Sequence, residues 1–586
     1  MNSTEIRDKF LKFYKEKGHE IVDSSSLIPE DDTVLFTTAG MQQFKPFYKK
    51  GDSPYGKRVA TAQKCFRTSD IEEVGDQDHL TFFEMLGNFS FGDYFKKESI
   101  LWAKEFLIDE MGFDETRLVY TYFEGNDEIP EDTEAKNILI DSGIKKEKIY
   151  PLGRDENFWG PTGTEGPCGP TVEIHYVLKE EDCGPDCDPS CDCDKFIEIW
   201  NLVFNQFYMD EGGALEELDH KGIDTGMGLE RLAMIVQDKP HVFETDLFTK
   251  LKERIDNLSD QSPNKRAKRI IADHVKGSVF LISEGVTPSN TDQGYILRRL
   301  LRRSMRYRKL LGLPEETLKE VAKEVFNLYD DFYLKSIEKE EVFKVIQKER
   351  DKFEKALDKG LKEFKKKTKK GSLDGKTAFH LYSTYGFPLE MIKEICMEED
   401  IEFTEEGFEK AKKEHIKASK KGADKKFGGV SKDPDNMEVK LHTATHLLHE
   451  SLRKVLGEHV KQEGSHINSK RLRFDFSHSE SMTDEEIEKV EDLVNQKIEE
   501  NLTRRIEEMS YDEAIEEGAL SFFEKDRYPE TVKVYSFVDS SGEPYSKELC
   551  GGPHVEKTGS LGKFKIKKEK SSSKGVRRIK AVLKNK

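Results

Sequence analysis

Thr81-Phe82-Phe83-Glu84-Met85-Leu86-Gly87-Asn88-Phe89-Ser90-Phe91-Gly92 follows Ala62-Gln63-Lys64-Cys65-Phe66-Arg67 and is answered downstream by Asp224-Thr225-Gly226-Met227-Gly228-Leu229-Glu230-Arg231-Leu232. Two arginines, each beside a segment rich in Gly and Phe, suit a nucleotide site. Arginine offers a planar, permanently charged fork for phosphate oxygens. Glycine lets backbone approach a ligand closely, and Phe faces can stack on adenine. Taken singly, each feature has a plainer reading: a surface charge after a strand, or a cap before a helix. Their combination is what points to a site.

Outward from this centre the chain divides by pattern. A first helix is predicted from about Ser3 to Gly18, because Ile6, Phe10, Phe13 and Tyr14 recur at helical spacing and Gly18 can end it. From there to about Lys239, apolar β-like runs alternate with Gly/Pro turns. Val34-Leu35-Phe36 and Leu118-Val119-Tyr120-Thr121-Tyr122-Phe123 are examples, and they predict an α+β domain built on an antiparallel sheet. From Pro240 to Ser419 the pattern becomes helical, with long charged amphipathic stretches such as Glu315 to Lys369. Lys420 to Asn436, with Gly422, Gly428, Gly429 and Pro434, is a linker. Residues 437–586 again mix helices and strands. The expectation is thus an α+β multidomain protein: 1–239, 240–419 and 437–586, joined by a 420–436 linker. No repeat at solenoid period is present.

At 586 residues the chain is too long for one core, and about three or four domains are expected. Apolar residues are 35 % and charged residues 36 %, a balance that can bury cores. No apolar run approaches the roughly 20 residues needed to span a bilayer. The N-terminus opens on an amphipathic pattern, not on a basic segment followed by an apolar one. The expectation is therefore a cytoplasmic protein with no membrane partner. The net charge of −19 disfavours a nonspecific nucleic-acid coat, yet a selective RNA binder can gather its positive charge in one groove.

Two groups of residues suit metals. Cys183, Cys187, Cys191 and Cys193 crowd four of the eight cysteines into one turn-rich segment. In a reducing compartment this points to metal, not disulfides, and four thiolates suit a closed, structural zinc site. The alternative is four unliganded thiols in a surface loop. Separately, His442 and His446 sit four apart, on one face of a helix. Far downstream comes Cys550-Gly551-Gly552-Pro553-His554. Alone, the His pair is an ordinary helix feature; with Cys550 and His554 it makes a four-ligand zinc set.

The chain resembles alanyl-tRNA synthetases. Thr37-Thr38-Ala39-Gly40-Met41-Gln42-Gln43-Phe44-Lys45 is similar to that family's first class II motif, Phe82 to Phe95 to its second, and Gly222 to Leu232 to its third. Asn157-Phe158-Trp159, Gly166-Pro167-Cys168-Gly169-Pro170 and Asn201-Leu202-Val203-Phe204-Asn205-Gln206 match further signatures. The resemblance implies a class II catalytic domain, a helical tRNA-recognition domain and an α+β editing domain. It implies substrates ATP (with Mg²⁺), L-alanine and alanine tRNA. Arg67 would hold the α-phosphate and Arg231 the γ-phosphate. Asp224 would pair with the alanine ammonium, and Trp159, Val203 and Gly226 would surround its methyl. Met41, His79, Glu84, Phe89 and Asn201 complete the expected substrate contacts. His442, His446, Cys550 and His554 would hold the editing zinc, with Gln462 orienting substrate or water. Editing is expected on physical grounds too. A small apolar pocket separates alanine from glycine by one methyl, worth about 1 kcal/mol, and resists serine's hydroxyl poorly.

The chain departs from the family pattern in places. Before Thr81 the family carries an Arg and two His, where this chain has Asp78-His79-Leu80. Pro553 stands where Thr is usual, which removes a hydroxyl and a backbone N–H. Arg298, Arg299 and Arg302 lie in a predicted helix whose arginine stripe suits a phosphate backbone; the alternative is a charged face paired with acids. Lys563 to Lys586 is a second basic segment, with Glu569 its only acid. Asn290 matches the family residue that reads a G·U pair in the acceptor stem, but Ser383 stands where its partner Asp is expected. The family's small β-barrel before the editing domain and its C-terminal oligomerisation region are absent, so a monomer with weaker tRNA affinity is expected. The competing functions are a deacylase with an inactive synthetase core and a non-catalytic RNA-binding paralogue.

Overall fold

Asn2 and Glu5 cap each other's backbone reciprocally and start helix α1 (Ser3–Glu16). Its predicted stripe, Ile6, Phe10, Phe13 and Tyr14, is buried, and Gly18 follows at φ +84°. The computed structural model describes the chain apart from residues 32, 52, 192, 259–263, 370, 416–436, 479, 523, 524, 526, 527, 530, 574, 575, 585 and 586. The expected linker 420–436 therefore lies outside the described residues.

Against α1 lies a nine-stranded sheet: β1 (Glu20–Ile21), β2 (Arg58–Phe66), β3 (Phe82–Phe91), β4 (Leu118–Phe123), β5 (Ile149–Leu152), β6 (Phe158–Trp159), β7 (Gly166–Val177), β8 (Phe196–Met209) and β9 (Leu215–Gly228). The order is β1-β2-β3-β9-β8-β7-β4-β5, with β6 on β7. Only the outermost pairs, β1·β2 and β4·β5, are parallel. The six residues of β4 are all buried, as their apolar run predicts. Val34–Phe36 is a correction. It forms bends outside any strand, with Leu35 42 % exposed; three apolar residues without a pairing partner do not make a strand.

Helices then dominate: α2 (Leu229–Val236), α3 (Lys265–Ser283), α4 (Asp292–Leu310), α5 (Thr317–Tyr329), α6 (Lys339–Lys367) and α7 (Leu389–Glu398). A two-residue parallel pair, β10 (Ser372–Leu373) with β11 (Glu402–Phe403), interrupts them. One hydrophobic cluster runs from Ile6 to Phe408, and Phe82 of β3 stacks on Phe280 of α3 at 3.8 Å. The pattern change at 239/240 thus separates kinds of element but not cores, and the chain divides compactly into Met1–Phe408 and Glu409–Lys586.

In the second unit, helices α8 (Met437–Leu456) and α9 (Asp484–Glu499) pack with two sheets. One is the antiparallel β12 (Gln462–Asn468), β13 (Arg471–Ser477), β18 (Val576–Lys584) and β17 (Lys563–Ser573); the other is β14 (Thr503–Ser510), β15 (Thr531–Val538) and β16 (Pro544–Leu549). Alternate residues Leu472, Phe474 and Phe476 join Leu441, Leu448 and Val490 in its core. Among the described residues, no helix is long and apolar enough to cross a membrane.

Candidate functional sites

Strand alternation decides which motif residues face a ligand. In β3, Phe83 and Met85 line a cleft with Arg67, Asp78, Glu198 and Arg231. Arg67 sits just past β2, its backbone N–H donating to Thr81 O at 2.9 Å, and its guanidinium lies 5.0 Å from the Phe83 ring centroid. Among the described residues it forms no ion pair, so it stays available for a phosphate. Arg231, on α2, is held instead by two carboxylates: Nη1 is 3.0 Å from Glu198 Oε2 and Nη2 is 3.2 Å from Asp78 Oδ2. His79 donates to Asp76 and lies 3.2 Å from Glu73. Its hydrogen bond to Asp76, opposed by burial and aided by the nearby carboxylates, raises it to about 9. The loop therefore keeps one cation at neutral pH.

Glu84 is a correction. With the opposite parity it turns away from the cleft, is fully buried, and accepts from Arg7 at 2.7 and 2.8 Å and from Tyr333 at 3.0 Å. It holds α1 to the sheet and cannot reach a substrate. Phe83, Glu198 and Asp78 are the cleft residues missed in its place. For Phe83 the signal was in the sequence, one position before Glu84 in a period-2 strand.

The residues expected to form the amino-acid pocket lie along β8 and β9. Asp224 faces Val203 on one side and Phe89 on the other, and Gly226 faces Asn201. Burial raises the Asp224 carboxyl to about 8, so an arriving ammonium would restore its charge. A side chain at Gly226 would start 2.8 Å from Met85 Sδ, so glycine keeps the floor open. Met41, Phe44 and Phe89 form a small buried cluster against which Trp159 and Met85 pack. Phe89 is a wall residue, its ring 4.8 Å from Phe44, and is closed to base stacking. Asn201 donates to Glu173 Oε1 at 2.8 Å.

Beside this sheet, Cys183 and Cys191 sulfurs lie 3.2 Å apart and Cys187 and Cys193 sulfurs 3.8 Å apart. All four are within 4.8 Å of one another. Tetrahedral thiolates at about 2.3 Å from zinc stand about 3.8 Å apart, so the knuckle fits that ion.

The second unit assembles His442, His446, Cys550 and His554, with all ligand atoms within 4.8 Å. Nε2 of His442 and of His554 lie 3.5 and 3.3 Å from Cys550 Sγ, close to the roughly 3.6 Å edge of a tetrahedral Zn–N/S site. Each imidazole presents its other nitrogen to an acceptor. His442 Nδ1 is 3.2 Å from Pro553 O, His554 Nδ1 is 3.4 Å from Thr443 Oγ1, and His446 Nδ1 is 3.0 Å from Glu548 Oε2. That tautomer leaves every Nε2 for an ion. Burial would raise the Cys550 thiol, but the surrounding imidazoles outweigh it and hold it well below its ordinary value. Glu548, which also binds His449 at 2.9 Å, and Thr443 were missed, because no local motif marks such supporting groups. Gln462 lies opposite Phe476 in β12 and donates to Ser465 at 3.3 Å.

The arginine helix is a further correction. Arg299, Arg303, Arg306 and Arg308 of α4 are buried. Arg302 pairs with Glu349 at 2.6 Å and covers Phe353, Arg303 pairs with Glu394 at 2.6 Å, and Arg299 pairs with Glu72. Arg298 donates to Asn290 and lies 3.4 Å from Glu349. The expected phosphate stripe is turned inward, because α3, α6 and α7 pack around α4 and acids of α6 and α7, with Glu72, neutralise it. Asn290 itself stays exposed in the loop before α4, and Ser383 is exposed in its own helix.

The family described as "tRNA synthetases class II (A)" matches residues 5–473, and "Threonyl and Alanyl tRNA synthetase second additional domain" matches residues 532–580. The chain is 46 % identical over 597 residues to the alanine–tRNA ligase of Borreliella afzelii, covering 100 % of both. It is 45 % identical to that of Treponema denticola, over 99 % of this chain and 98 % of that one. A solved S. aureus histidyl-tRNA synthetase aligns over 43 % of this chain and 75 % of that one, at 13 % identity and a TM-score of 0.26, a likeness that carries no argument.

Proposed function

The chain belongs to the alanine–tRNA ligase family of class II synthetases, and on that premise we infer how its two sites divide the work of charging tRNA with alanine and editing the product. The observation that carries this is the pairing of an unclaimed Arg67 with a buried Asp224 carboxylate around one sheet. Asp224 takes the alanine ammonium and so points the carboxylate toward the cleft, where it attacks the α-phosphorus of ATP. Arg67 neutralises the α-phosphate as charge develops, and Arg231 takes the outermost phosphate. Pyrophosphate leaves, together with the Mg²⁺ that would arrive with ATP; the terminal ribose hydroxyl of the tRNA then attacks the alanyl carbonyl, forming the ester as the anhydride bond breaks and AMP departs. The protein's contribution is positioning and charge neutralisation.

In the second unit, His442, His446, Cys550 and His554 fit zinc by donor type and spacing. When bound, the ion supplies Lewis acidity for ester hydrolysis. Glu548 and Thr443 hold the imidazoles in the binding tautomer, and the reading includes removal of serine and glycine from alanine tRNA. Cys183, Cys187, Cys191 and Cys193 suit a second zinc that staples their loop. The cytoplasm, where tRNA and reduced thiols coexist, suits the eight unpaired cysteines. Alanine-dependent ATP–pyrophosphate exchange tests the reading: it should be present in the wild type and lost in Asp224→Ala. Absence of exchange in folded, zinc-replete wild type would overturn the charging reading in favour of the deacylase.

A further inference from the structure

The basic segment at the end of the chain has no part in either site, and the sheet register shows where it goes. In β13 and β18, Leu472, Phe474, Ile579 and Ala581 enter the core. Arg471, Arg473, Arg578 and Lys580 alternate with them and face the other side. Register then aligns cations across three strands: Arg473 opposite Lys580 opposite Lys568, and on the next outward rung Asp475 opposite Arg578 opposite Lys570. Neighbours stand roughly 5 Å apart across strands and 7 Å along them.

Like charges facing one another destabilise a sheet, and little in the protein relieves them here. Asp475 is taken bidentately by Arg578 at 2.6 and 2.7 Å, and Arg473 Nε lies 3.6 Å from the same carboxylate. Among the described residues, Arg471, Lys568, Lys570 and Lys580 form no ion pair with a carboxylate. Crowding by Arg471 first, then Lys570, Lys568 and Arg578, lowers the Lys580 ammonium below its ordinary value. This occurs in a chain of net charge −19 whose α4 arginines are matched to acids. A cation lattice left open on one face fits a regularly spaced polyanion.

We propose that the outer face of the β12-β13-β18-β17 sheet, carrying Arg471, Arg473, Lys568, Lys570, Arg578 and Lys580, is a docking surface for the sugar–phosphate backbone of tRNA. It rests on the reading that tRNA is the substrate. The contact is independent of sequence and strongly dependent on salt.

The test compares the full-length triple variant K568Q/K570Q/K580Q with K15Q/K97Q/K146Q, an equal charge change at exposed positions of the first unit outside its clefts and its helical domain. Binding of an alanine tRNA transcript is titrated across salt concentrations. The sheet variant should lose at least tenfold in affinity at low salt, and its slope of log affinity against log salt should fall by about 2 to 3, roughly one per phosphate contact. The control variant should stay within about twofold of wild type, and tRNA-independent ATP–pyrophosphate exchange should be unchanged in both. Equal losses in the two triples, or no loss in the sheet variant, would overturn the proposal. Wild type that exchanges pyrophosphate but binds no tRNA would remove the reading beneath it as well.

Discussion

At the mouth of the cleft, Arg231 is shared between Glu198 and Asp78, while Arg67 lies against the Phe83 ring and, among the described residues, forms no ion pair. An incoming phosphate must displace Asp78 from Arg231. The pair is about 30 % exposed on both sides, and such pairs are worth up to about 1 kcal/mol. Asp78→Asn should therefore lower the KM for ATP in the exchange assay by about twofold to fivefold without lowering kcat. A raised KM would mean that Asp78 contacts the nucleotide or its metal instead. Asp224 carries a pH signature. Burial raises its carboxyl to about 8, against about 3.9 in an unfolded chain, so the folded site keeps a proton that the unfolded chain releases. Stability from this group is complete below about pH 4 and declines as pH rises toward 8. In the proposed role of Asp224, alanine binding uses the carboxylate and so must release that proton below pH 8. The KM for alanine should fall as pH rises from 6 to 8, by up to about tenfold per unit; a flat profile would show the carboxylate already ionised. In the second unit, Glu548→Gln should weaken zinc binding by about 10- to 100-fold in chelator competition, since it releases His446 Nδ1.

Between elements, the informative link joins α3 to the hairpin of β2 and β3. Asp273 is fully buried and accepts from the Thr81 N–H at 3.0 Å and the Thr81 hydroxyl at 2.7 Å, while Thr81 O holds the Arg67 N–H. His274 Nδ1 lies 2.8 Å from the same carboxylate, and its Nε2 lies 2.7 Å from Arg303 of α4, which pairs with Glu394 of α7. A helix outside the sheet thus fixes the hairpin that presents Arg67. Asp273→Ala should destabilise the first unit by about 1.5–3 kcal/mol, the range for charged hydrogen bonds, measured by denaturant unfolding. An unchanged midpoint would show that Thr81 finds another acceptor. The same packing explains α4. Its arginines recur at spacings of three and four because acids on α6 and α7 meet it on several sides.

Over the whole molecule, the two sites fall in separate compact units, Met1–Phe408 and Glu409–Lys586, with separate cores. Cys550→Ala should lower deacylation of serine-charged alanine tRNA at least about 100-fold while leaving pyrophosphate exchange within about twofold; joint loss would show that the units depend on one another. A family resemblance singled out Arg67, Asp224 and Arg231, and the sequence by itself determined the main helix and strand periods and both four-ligand sets. These depend on residue type and on spacing of a few residues, which period and ligand chemistry translate directly. Only the tertiary structure decided that Glu84 faces α1, that the α4 arginines are neutralised inside the fold, that Asp78 holds Arg231, that Glu548 orients His446, and that the terminal lysines share one face with Arg471 and Arg473. Each of those is an electrostatic or hydrogen-bonded contact between residues far apart in the chain. Its existence depends on which faces the packing of apolar side chains brings together, and no local pattern carries that information.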